Sequence, residues 1–386
     1  MILIKNCEVY APHKLGKKDI LLASGEILEI GENIETGSLK VKVINGENFK
    51  AIPGLIDGHV HIAGAGGEGG PKTRTPEVKL SQLIEGGITT VIGCLGTDGM
   101  TRSIESVLMK AKAFREEGIS AWIYTGSYQI PTPTILGDVG KDIALIEEVI
   151  GVGEVAISDH RSSYPSVNEL IRLAEHARVG GMLGGKAGII NLHMGDAKNP
   201  FALIYEVVEK SELNFKQFIP THCNRNDYIF EDAKTYGKSG YVDITASSYP
   251  YFPQYEIKPA KAIVQLIETG VPLENITMTS DGGGSLPDFD EQGNLIKLVS
   301  GDPASIFRET MEAVKDENLP LEKALLPVTL NPATALKLAS KGRLEDGKDA
   351  DIVLIDQNYD IHYVIANGEI MMENGEIIKK GIFEKE

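Results

Sequence analysis

Residues 53–61 read Pro-Gly-Leu-Ile-Asp-Gly-His-Val-His, an apolar run that ends in two histidines. Before this stretch, residues 1–52 show short apolar segments separated by turn signals such as Asn45-Gly46, which is typical of β-structure. After it, a β-branched run, a glycine-rich or polar loop and a helical pattern recur in turn. The stretch therefore predicts the first strand of an α/β repeat.

Eight strand candidates follow this rhythm. They are Gly54–His61, Thr89–Leu95, Ala121–Thr125, Glu154–Ser158, Gly188–His193, Gln217–His222, Val242–Ser247 and Ile276–Asp281. Apolar residues at helical spacing predict helices over 103–117, 141–150, 167–177, 201–210, 258–268 and 305–314. This count and length predict an α/β fold, a (β/α)8 TIM-type barrel over residues 53–339. A doubly wound open sheet is the alternative.

The β pattern returns after residue 340, where Asn367-Gly368 and Asn374-Gly375 indicate hairpins. We expect residues 1–52 and 340–386 to pair into one small β-domain. Residues 250–259 and 282–302 are expected to form long loops over the barrel mouth.

The composition narrows the class of protein. The chain has 38 Lys and Arg against 55 Asp and Glu, a net charge of −17, which argues against nucleic-acid and anionic-membrane partners. It contains neither the apolar run of roughly 18 residues that a membrane span needs nor a signal-peptide pattern. Three separated cysteines imply no disulfide framework. These features predict a cytoplasmic protein.

The strand ends carry the chemistry, because active sites of such barrels lie at the carboxyl ends of the strands. His59, His61, His193 and His222 lie there, Asp281 ends the last strand, and Glu154 begins the fourth. The His-x-His spacing directs both side chains to one face of a strand. Nitrogen and oxygen donors favour Zn²⁺, with Mn²⁺ or Co²⁺ as alternatives. Six donors exceed one tetrahedral zinc, so we expect two ions that share a carboxylate.

Longer segments carry a family resemblance. They include Gly66-Gly-Glu-Gly-Gly70, Ala156-Ile-Ser-Asp-His-Arg-Ser162, His193-Met-Gly-Asp196, Pro220-Thr-His-Cys-Asn-Arg225 and Ser280-Asp-Gly-Gly-Gly-Ser285. With residues 53–61 and 347–354, they make the chain similar to the isoaspartyl (β-aspartyl) dipeptidase family of the amidohydrolase superfamily over essentially its whole length.

The resemblance implies an activity and a set of site residues. It implies a binuclear-metal hydrolase that cleaves the isopeptide bond of β-aspartyl dipeptides, in a homo-oligomer. His59, His61 and Asp281 would bind the first zinc, and His193 and His222 the second. A metal-bridging hydroxide would be the nucleophile, Asp281 the general base and then acid, and Tyr128 a donor to the developing oxyanion.

One departure from the family concerns the bridging ligand. The family typically bridges its metals with a carboxylated lysine, whereas Glu154 stands here, after one additional residue near Gly153. We expect Gly153 to form a bulge through which Glu154 bridges the metals directly, without CO₂. In the alternative, Glu154 is a displaced surface residue and the site is mononuclear.

The expected substrate is a zwitterion, so its site needs matched charges. Glu68 is predicted to bind the α-ammonium group, and Gly66 and Gly67 allow close backbone approach. Arg161 and Arg225 are predicted to bind carboxylates. Thr97 and Ser285, with Tyr128, match further substrate-contacting positions of the family. An ammonium contact predicts an exopeptidase, and Cys94 and Cys223 are expected to pack as small apolar residues.

Two other functions stay open. One is another metal-dependent amidohydrolase of the dihydropyrimidinase, dihydroorotase or D-aminoacylase type, which Glu68 and the two arginines disfavour. The other is a non-catalytic amidohydrolase-like scaffold, which the complete set of donors disfavours.

Overall fold

The computed structural model describes residues 1–289 and 294–384. Within this part of the chain, every helix is too short or too polar to span a bilayer.

Strands from both ends of the chain share one sheet. They are β1 (Ile2–Tyr10), β2 (Lys14–Ala23), β3 (Glu26–Gly31), β4 (Lys42–Asn45), β5 (Lys50–Pro53), β16 (Ile352–Ile355), β17 (Ile361–Ala366), β18 (Glu369–Glu373) and β19 (Glu376–Ile377). The two ends meet where β5 pairs antiparallel with β16, with Ala51 opposite Leu354. Alternate side chains such as Ile4, Ile20 and Ile352 are fully buried in this sheet.

Parallel strands occupy the middle of the chain. They are β6 (Leu55–Val60), β7 (Ile88–Gly93), β8 (Ser120–Thr125), β9 (Val149–Ile157), β10 (Ile189–Met194), β11 (Phe218–Thr221), β12 (Val242–Thr245) and β13 (Ile276–Thr279). Strands β6 to β11 form one parallel sheet in chain order, and β12 pairs with β13. Hydrogen bonds connect the two sheets at both edges, from Cys223 N to Asp243 O at 3.1 Å and from His61 N to Gly282 O at 2.8 Å.

Helices alternate with these strands. They are α1 (Leu80–Glu85), α2 (Ile104–Glu116), α3 (Val139–Leu145), α4 (Val167–Gly184), α5 (Ala202–Glu209), α6 (Asp227–Tyr236), α7 (Pro259–Glu268), α8 (Ser305–Lys315), α9 (Leu321–Ala324) and α10 (Leu330–Ala335). Short 3-10 turns lie at Pro71–Thr73, Phe215–Gln217, Leu273–Asn275 and Leu326–Val328. The alternation confirms the expected α/β fold, and each of the eight strand candidates overlaps an observed strand.

Some expected boundaries are wrong. Glu154 does not begin its strand but lies inside β9, which starts at Val149. Val149 and Ile150, expected at the end of the preceding helix, belong to this strand. Helix α4 extends to Gly184 and stops where Gly185 adopts a left-handed conformation. Helix α6 was not predicted, although the Asn226 side chain caps it by accepting a hydrogen bond from Ile229 N.

The segment 282–302 is not the uninterrupted loop expected from its glycines. It contains the antiparallel strands β14 (Ser285–Phe289) and β15 (Leu295–Ser300), paired from Ser285 opposite Ser300. The β-favouring run Leu295–Ser300 supplies the second strand. Residues 290–293 of the expected loop lie outside the described residues.

Candidate metal centre

The histidines predicted as ligands converge at the carboxyl ends of the parallel strands. His59 lies on β6, His61 directly follows it, His193 lies on β10 and His222 directly follows β11. Their side chains are buried, and the rings of His59 and His222 lie 5.7 Å apart, those of His193 and His222 4.6 Å apart. A strand period of two brings His59 and His61 to the same site, with ring centroids 5.4 Å apart.

Glu154 lies among all four of these histidines. Its Oε1 is 3.4 Å from His61 Nε2. Its Oε2 lies 3.5 Å from His59 Nε2, 3.1 Å from His193 Nδ1 and 3.7 Å from His222 Nε2. The side chain is 1% exposed, which contradicts the alternative of a displaced surface residue. One carboxylate thus faces four imidazoles, one at Oε1 and three at Oε2.

A bulge in β9 brings Glu154 to this position. Ile190 pairs with Val152 and Leu192 with Val155, so β9 has one additional residue opposite Asn191. Gly153 occupies the bulge, and the Gly153–Glu154 peptide is cis. The expected bulge is therefore present at the expected glycine.

Asp281 completes the first group of donors. Its Oδ1 lies 3.0 Å from His61 Nε2 and 3.7 Å from His59 Nε2. Asp281 Oδ1 and His59 Nε2 are buried and have no hydrogen-bond partner among the described residues. Buried polar atoms of this kind require an explanation, and separations near 3.5 Å are those of neighbouring ligands on one ion. The donors fit divalent metal ions.

Electrostatics keep the two carboxylates ionised. Burial alone would raise the pKa of Glu154, but the surrounding histidines outweigh it and hold the pKa well below its usual value. Burial opposes a low pKa at Asp281 too, and the adjacent His61, followed by the charges of His222 and His59, overcomes it. Burial and the charge of His193 lower the pKa of His222 to about 4, so its imidazole is neutral. At the other pair of rings the shift is opposite: burial would lower the pKa of His59, but Cys94 and Glu154 outweigh it and raise this pKa well above 6.5, and Cys94 and Asp281 do the same for His61. Metal binding to these two rings would therefore release protons.

Four further residues contact the other nitrogens of these rings, and the sequence analysis assigned this role to none of them. Cys94, expected to pack as a small apolar residue, is one of the four. Asn191 Oδ1 lies 3.1 Å from His59 Nδ1, Cys94 Sγ 3.6 Å from His61 Nδ1, Asp159 Oδ2 3.1 Å from His193 Nε2, and Thr245 Oγ1 2.8 Å from His222 Nδ1. Each of the four partners lies on or near a carboxyl strand end. Examining every polar residue at those ends would have found Asn191, Cys94 and Thr245, and Asp159 is an acid that follows β9 directly enough to have been included among the acids.

Tyr128 lies at the edge of the cluster. Its hydroxyl is 2.8 Å from His193 Nδ1, and the Arg161 guanidinium lies 5.3 Å from its ring centroid. Burial raises the pKa of Tyr128 well above 10, and the charge of Glu154 adds to this effect, so the phenol is protonated. It is a hydrogen-bond donor. Thr97 lies beside it and contacts its hydroxyl.

A cavity of about 640 Å³ opens next to the cluster. Glu68, Arg161 and Arg225 line it. Arg161 donates two hydrogen bonds to Asp159, at 3.0 and 2.9 Å, and its Nη1 lies 3.3 Å from Glu68 Oε1. One guanidinium nitrogen of each arginine lies 3.2 Å from His193 Nε2. The structure therefore brings both signs of charge to the same cavity.

Glycines shape the wall of this cavity beside Glu68. Gly66 has φ 73°, and a Cβ there would lie 2.5 Å from Thr73 O and 3.1 Å from Ser285 Cβ. Only glycine fits such a conformation and such an approach. Gly67 has φ 110°. Gly66, Thr97 and Ser285 line the cavity.

The chain is similar to a solved β-aspartyl dipeptidase. This protein, from Fervidobacterium islandicum AW-1 and in complex with β-Asp-Leu, is 42% identical over 97% of this chain and 97% of its own, with a TM-score of 0.91. The chain belongs to the β-aspartyl dipeptidase family of amidohydrolases. Residues 254–371 match the Amidohydrolase family. The resemblance in the sequence motifs is thus confirmed.

The chain also matches more distant proteins with other names. Adenine deaminase from Clostridium perfringens is 25% identical over 99% of this chain, which spans about 60% of the length of that relative. A D-hydantoinase structure, 15% identical over 100% of this chain and 98% of its own, has a TM-score of 0.68 and supports the fold alone. Members of the β-aspartyl dipeptidase family are metal-dependent hydrolases, which confirms the expectation of an enzyme over that of a scaffold.

Proposed function

We propose that this protein hydrolyses the isopeptide bond of β-aspartyl dipeptides at a binuclear metal centre. The observation that carries the proposal is the adjacency of two arrangements: Glu154 between four histidines, and a cavity lined by Glu68, Arg161 and Arg225 as well as by Asp196 and Glu256. The first suits metal-assisted hydrolysis, and the second a small substrate with an ammonium group and carboxylates. The similarity to a dipeptidase that binds β-Asp-Leu supports the same substrate class here.

In this proposal, His59, His61 and Asp281 would hold one metal, and His193 and His222 the other. Glu154 would serve both in place of a carboxylated lysine, because its Oε1 lies near His61 and its Oε2 near His193 and His222. Zn²⁺ suits these donors, with Mn²⁺ or Co²⁺ as alternatives. When bound, the ions would lower the pKa of a water and polarise the scissile carbonyl.

The side chains around the cluster provide the remaining steps. Asp281 accepts a proton from the attacking water and transfers it to the leaving amine. Tyr128 donates its hydroxyl proton in a hydrogen bond to the carbonyl oxygen as that oxygen gains negative charge, and such a donor contributes about 2.7–4 kcal/mol. The neutral phenol is the form that this role requires.

Substrate recognition depends on the charges in the cavity. Glu68 binds the α-ammonium group, and Arg161 and Arg225 bind the carboxylates through paired N–H groups. Thr97 and Ser285 add hydrogen bonds, while Gly66 and Gly67 leave room for the substrate backbone. Cyclic amides lack the ammonium group, so these charges favour a dipeptidase over hydantoinase-like activity.

We also propose the detailed architecture of the chain. Strands β6 to β13 close into a (β/α)8 barrel over residues 53–339, supported by the hydrogen bonds at both edges of the sheet. Residues 1–52 and 340–386 form the small β-domain, supported by their shared sheet. A cytoplasmic homo-oligomer stays a prediction from composition and family.

Metal content and catalysis test the proposal on one sample. Protein purified without added CO₂ is assayed for metals and for β-Asp-Leu hydrolysis with and without bicarbonate. We expect two ions per chain and the same activity with and without bicarbonate. One ion, or activity that requires bicarbonate, would refute bridging by Glu154. If the protein binds two ions and cleaves dihydroorotate or a hydantoin but not β-Asp-Leu, the assignment of β-aspartyl dipeptides as substrates would be refuted.

A further inference from the structure

Each histidine of the metal centre has one nitrogen toward Glu154 and the other toward an outer partner. Three of the partners are oxygen atoms, those of Asn191, Asp159 and Thr245. Such partners select the tautomer of a ligating histidine and orient its ring. His61 departs from this pattern because its outer neighbour is a sulfur atom.

Cys94 supplies that sulfur. Its Sγ lies 3.6 Å from His61 Nδ1 and 3.6 Å from Val60 O. The residue follows β7, is fully buried, and is fixed by a backbone hydrogen bond from Cys94 N to Val60 O at 3.0 Å. The thiol therefore faces the strand that carries both histidines.

The opposite nitrogen of His61 faces the metal-ligand cluster. His61 Nε2 lies 3.0 Å from Asp281 Oδ1 and 3.4 Å from Glu154 Oε1. Gly96 confines the ring further, because a Cβ at this position would lie 2.7 Å from His61 Cε1. If His61 Nε2 binds a metal through its lone pair, the ring proton of the neutral imidazole must be on Nδ1. Cys94 Sγ, 3.6 Å from Nδ1, can accept a hydrogen bond from it.

We propose that Cys94 is a positioning residue of the metal centre: its sulfur accepts the Nδ1–H of His61 and so keeps the Nε2 lone pair directed at the metal. The inference rests on the proposed metal-dependent function but concerns metal binding, not substrate. His59 Nε2, buried and unpartnered beside it, indicates that the same group of atoms holds an ion. Cys94 Sγ is one of four donor atoms, with those of His59, His61 and Glu154, that lie within 4.8 Å of one another. In this proposal it acts through His61 and does not touch the metal.

Cobalt-substituted wild-type protein tests the geometry without any variant. A ligating thiolate gives a sulfur-to-cobalt charge-transfer band in the near ultraviolet. The proposal expects no such band, and its presence would overturn the positioning role, because Cys94 would then be a direct ligand.

Three variants test the contribution to metal affinity, measured by competition with a chelator. Cys94→Ala is expected to weaken binding of one metal roughly 10- to 100-fold, as loss of an outer partner does. Cys94→Ser keeps an acceptor and should recover most of the affinity. Cys7→Ala removes a thiol that is equally buried in the terminal sheet and should change nothing.

Unchanged metal affinity in folded Cys94→Ala, or equal losses in Cys94→Ala and Cys7→Ala, would overturn the proposal. Circular dichroism of the metal-free proteins establishes whether they fold. If Cys94→Ala does not fold, the metal affinity of Cys94→Ser and the cobalt spectrum of wild-type protein test the proposal instead. Hydrolysis of β-Asp-Leu by wild-type protein is measured separately, so failure of the proposed function is distinguishable from failure of this inference.

Discussion

At the scale of single residues, Glu154 determines whether the centre holds two ions. A glutamine has the same shape but lacks the charge that two cations share, so Glu154→Gln is expected to lose at least one metal and most hydrolytic activity. Elemental analysis of the purified variant measures this. Two tightly bound metals with full activity in Glu154→Gln would contradict direct bridging.

Glu68 determines whether the substrate needs a free amino group. Glu68→Gln should lower kcat/KM for β-Asp-Leu roughly 10- to 100-fold, the value of a hydrogen bond between charged groups. The kcat/KM for N-acetyl-β-Asp-Leu, which has no ammonium group and should be a poor substrate of both forms, should change little. Glu77→Gln, in the same loop but paired with Lys110 at 3.3 Å, is the matched control. Equal losses for both substrates would exclude the proposed contact.

At the scale of elements, the bulge of β9 links the fold to the metal centre. A Cβ on Gly153 would lie 2.8 Å from Asn191 Cβ, and Asn191 holds His59. Gly153→Ala should therefore destabilise the protein by about 1–3 kcal/mol and reduce its metal content.

Gly58→Ala is the control for this prediction, since Gly58 also adjoins a ligand but its Cβ would meet Thr279 Cγ2 at 3.4 Å, an ordinary contact. Denaturant titrations and metal analysis of both variants measure the difference. If Gly153→Ala loses no more stability and no more metal than Gly58→Ala, the bulge does not require glycine.

The packing of α7 against α8 buries a carboxyl group that titrates near neutrality. Glu309 accepts a hydrogen bond from Ala260 N at 3.1 Å, and burial, reinforced by Glu312 and opposed by Lys258 and Arg308, raises its pKa to about 7. The folded state keeps a proton that the unfolded state loses above pH 4.5. Stability from this group is therefore present below pH 4.5 and is lost as pH rises to 7.

Glu309→Gln should remove this pH dependence, because the amide stays neutral and can still accept the hydrogen bond. The variant is expected to gain about 3 kcal/mol at pH 8 and about 1 kcal/mol at pH 5, relative to wild type. Denaturant unfolding at both pH values measures the gain. Glu209→Gln, exposed on α5, serves as the control, and equal gains at the two pH values would contradict the assignment.

At the scale of the whole molecule, the sequence predicted what local periodicity and strand-end placement determine. The alternation of strands and helices and the convergence of His59, His193 and His222 follow from those rules. The contact of Cys94 with His61 and that of Asn191 with His59 depend on which strands become neighbours and on their register. The pairing of β14 with β15 was missed because glycines in 282–284 resemble those of a loop.

A buried cation connects the C-terminal part of the chain to the central strands. Lys341 Nζ lies 2.7 Å from Asp351 Oδ2, 2.8 Å from Asp349 Oδ2 and 2.6 Å from Ser120 Oγ on β8. Its side chain is 2% exposed. Removing the charge leaves the Asp351 carboxylate, 6% exposed, with a hydrogen bond from Asn367 N but without this cation, which is far more destabilising than the pair itself is stabilising.

Lys341→Met is therefore expected to lower the free energy of unfolding by about 3–5 kcal/mol. Lys14→Met breaks the exposed pair with Glu8, at 2.6 Å, and should change it by less than about 1 kcal/mol. The single tryptophan, Trp122 on β8, reports on the central strands by fluorescence, and circular dichroism reports on the whole chain. Because Lys341 contacts both regions, the two signals should shift together. A loss no larger than that of Lys14→Met, or a shift in only one signal, would mean that the terminal sheet and the central strands do not depend on this contact.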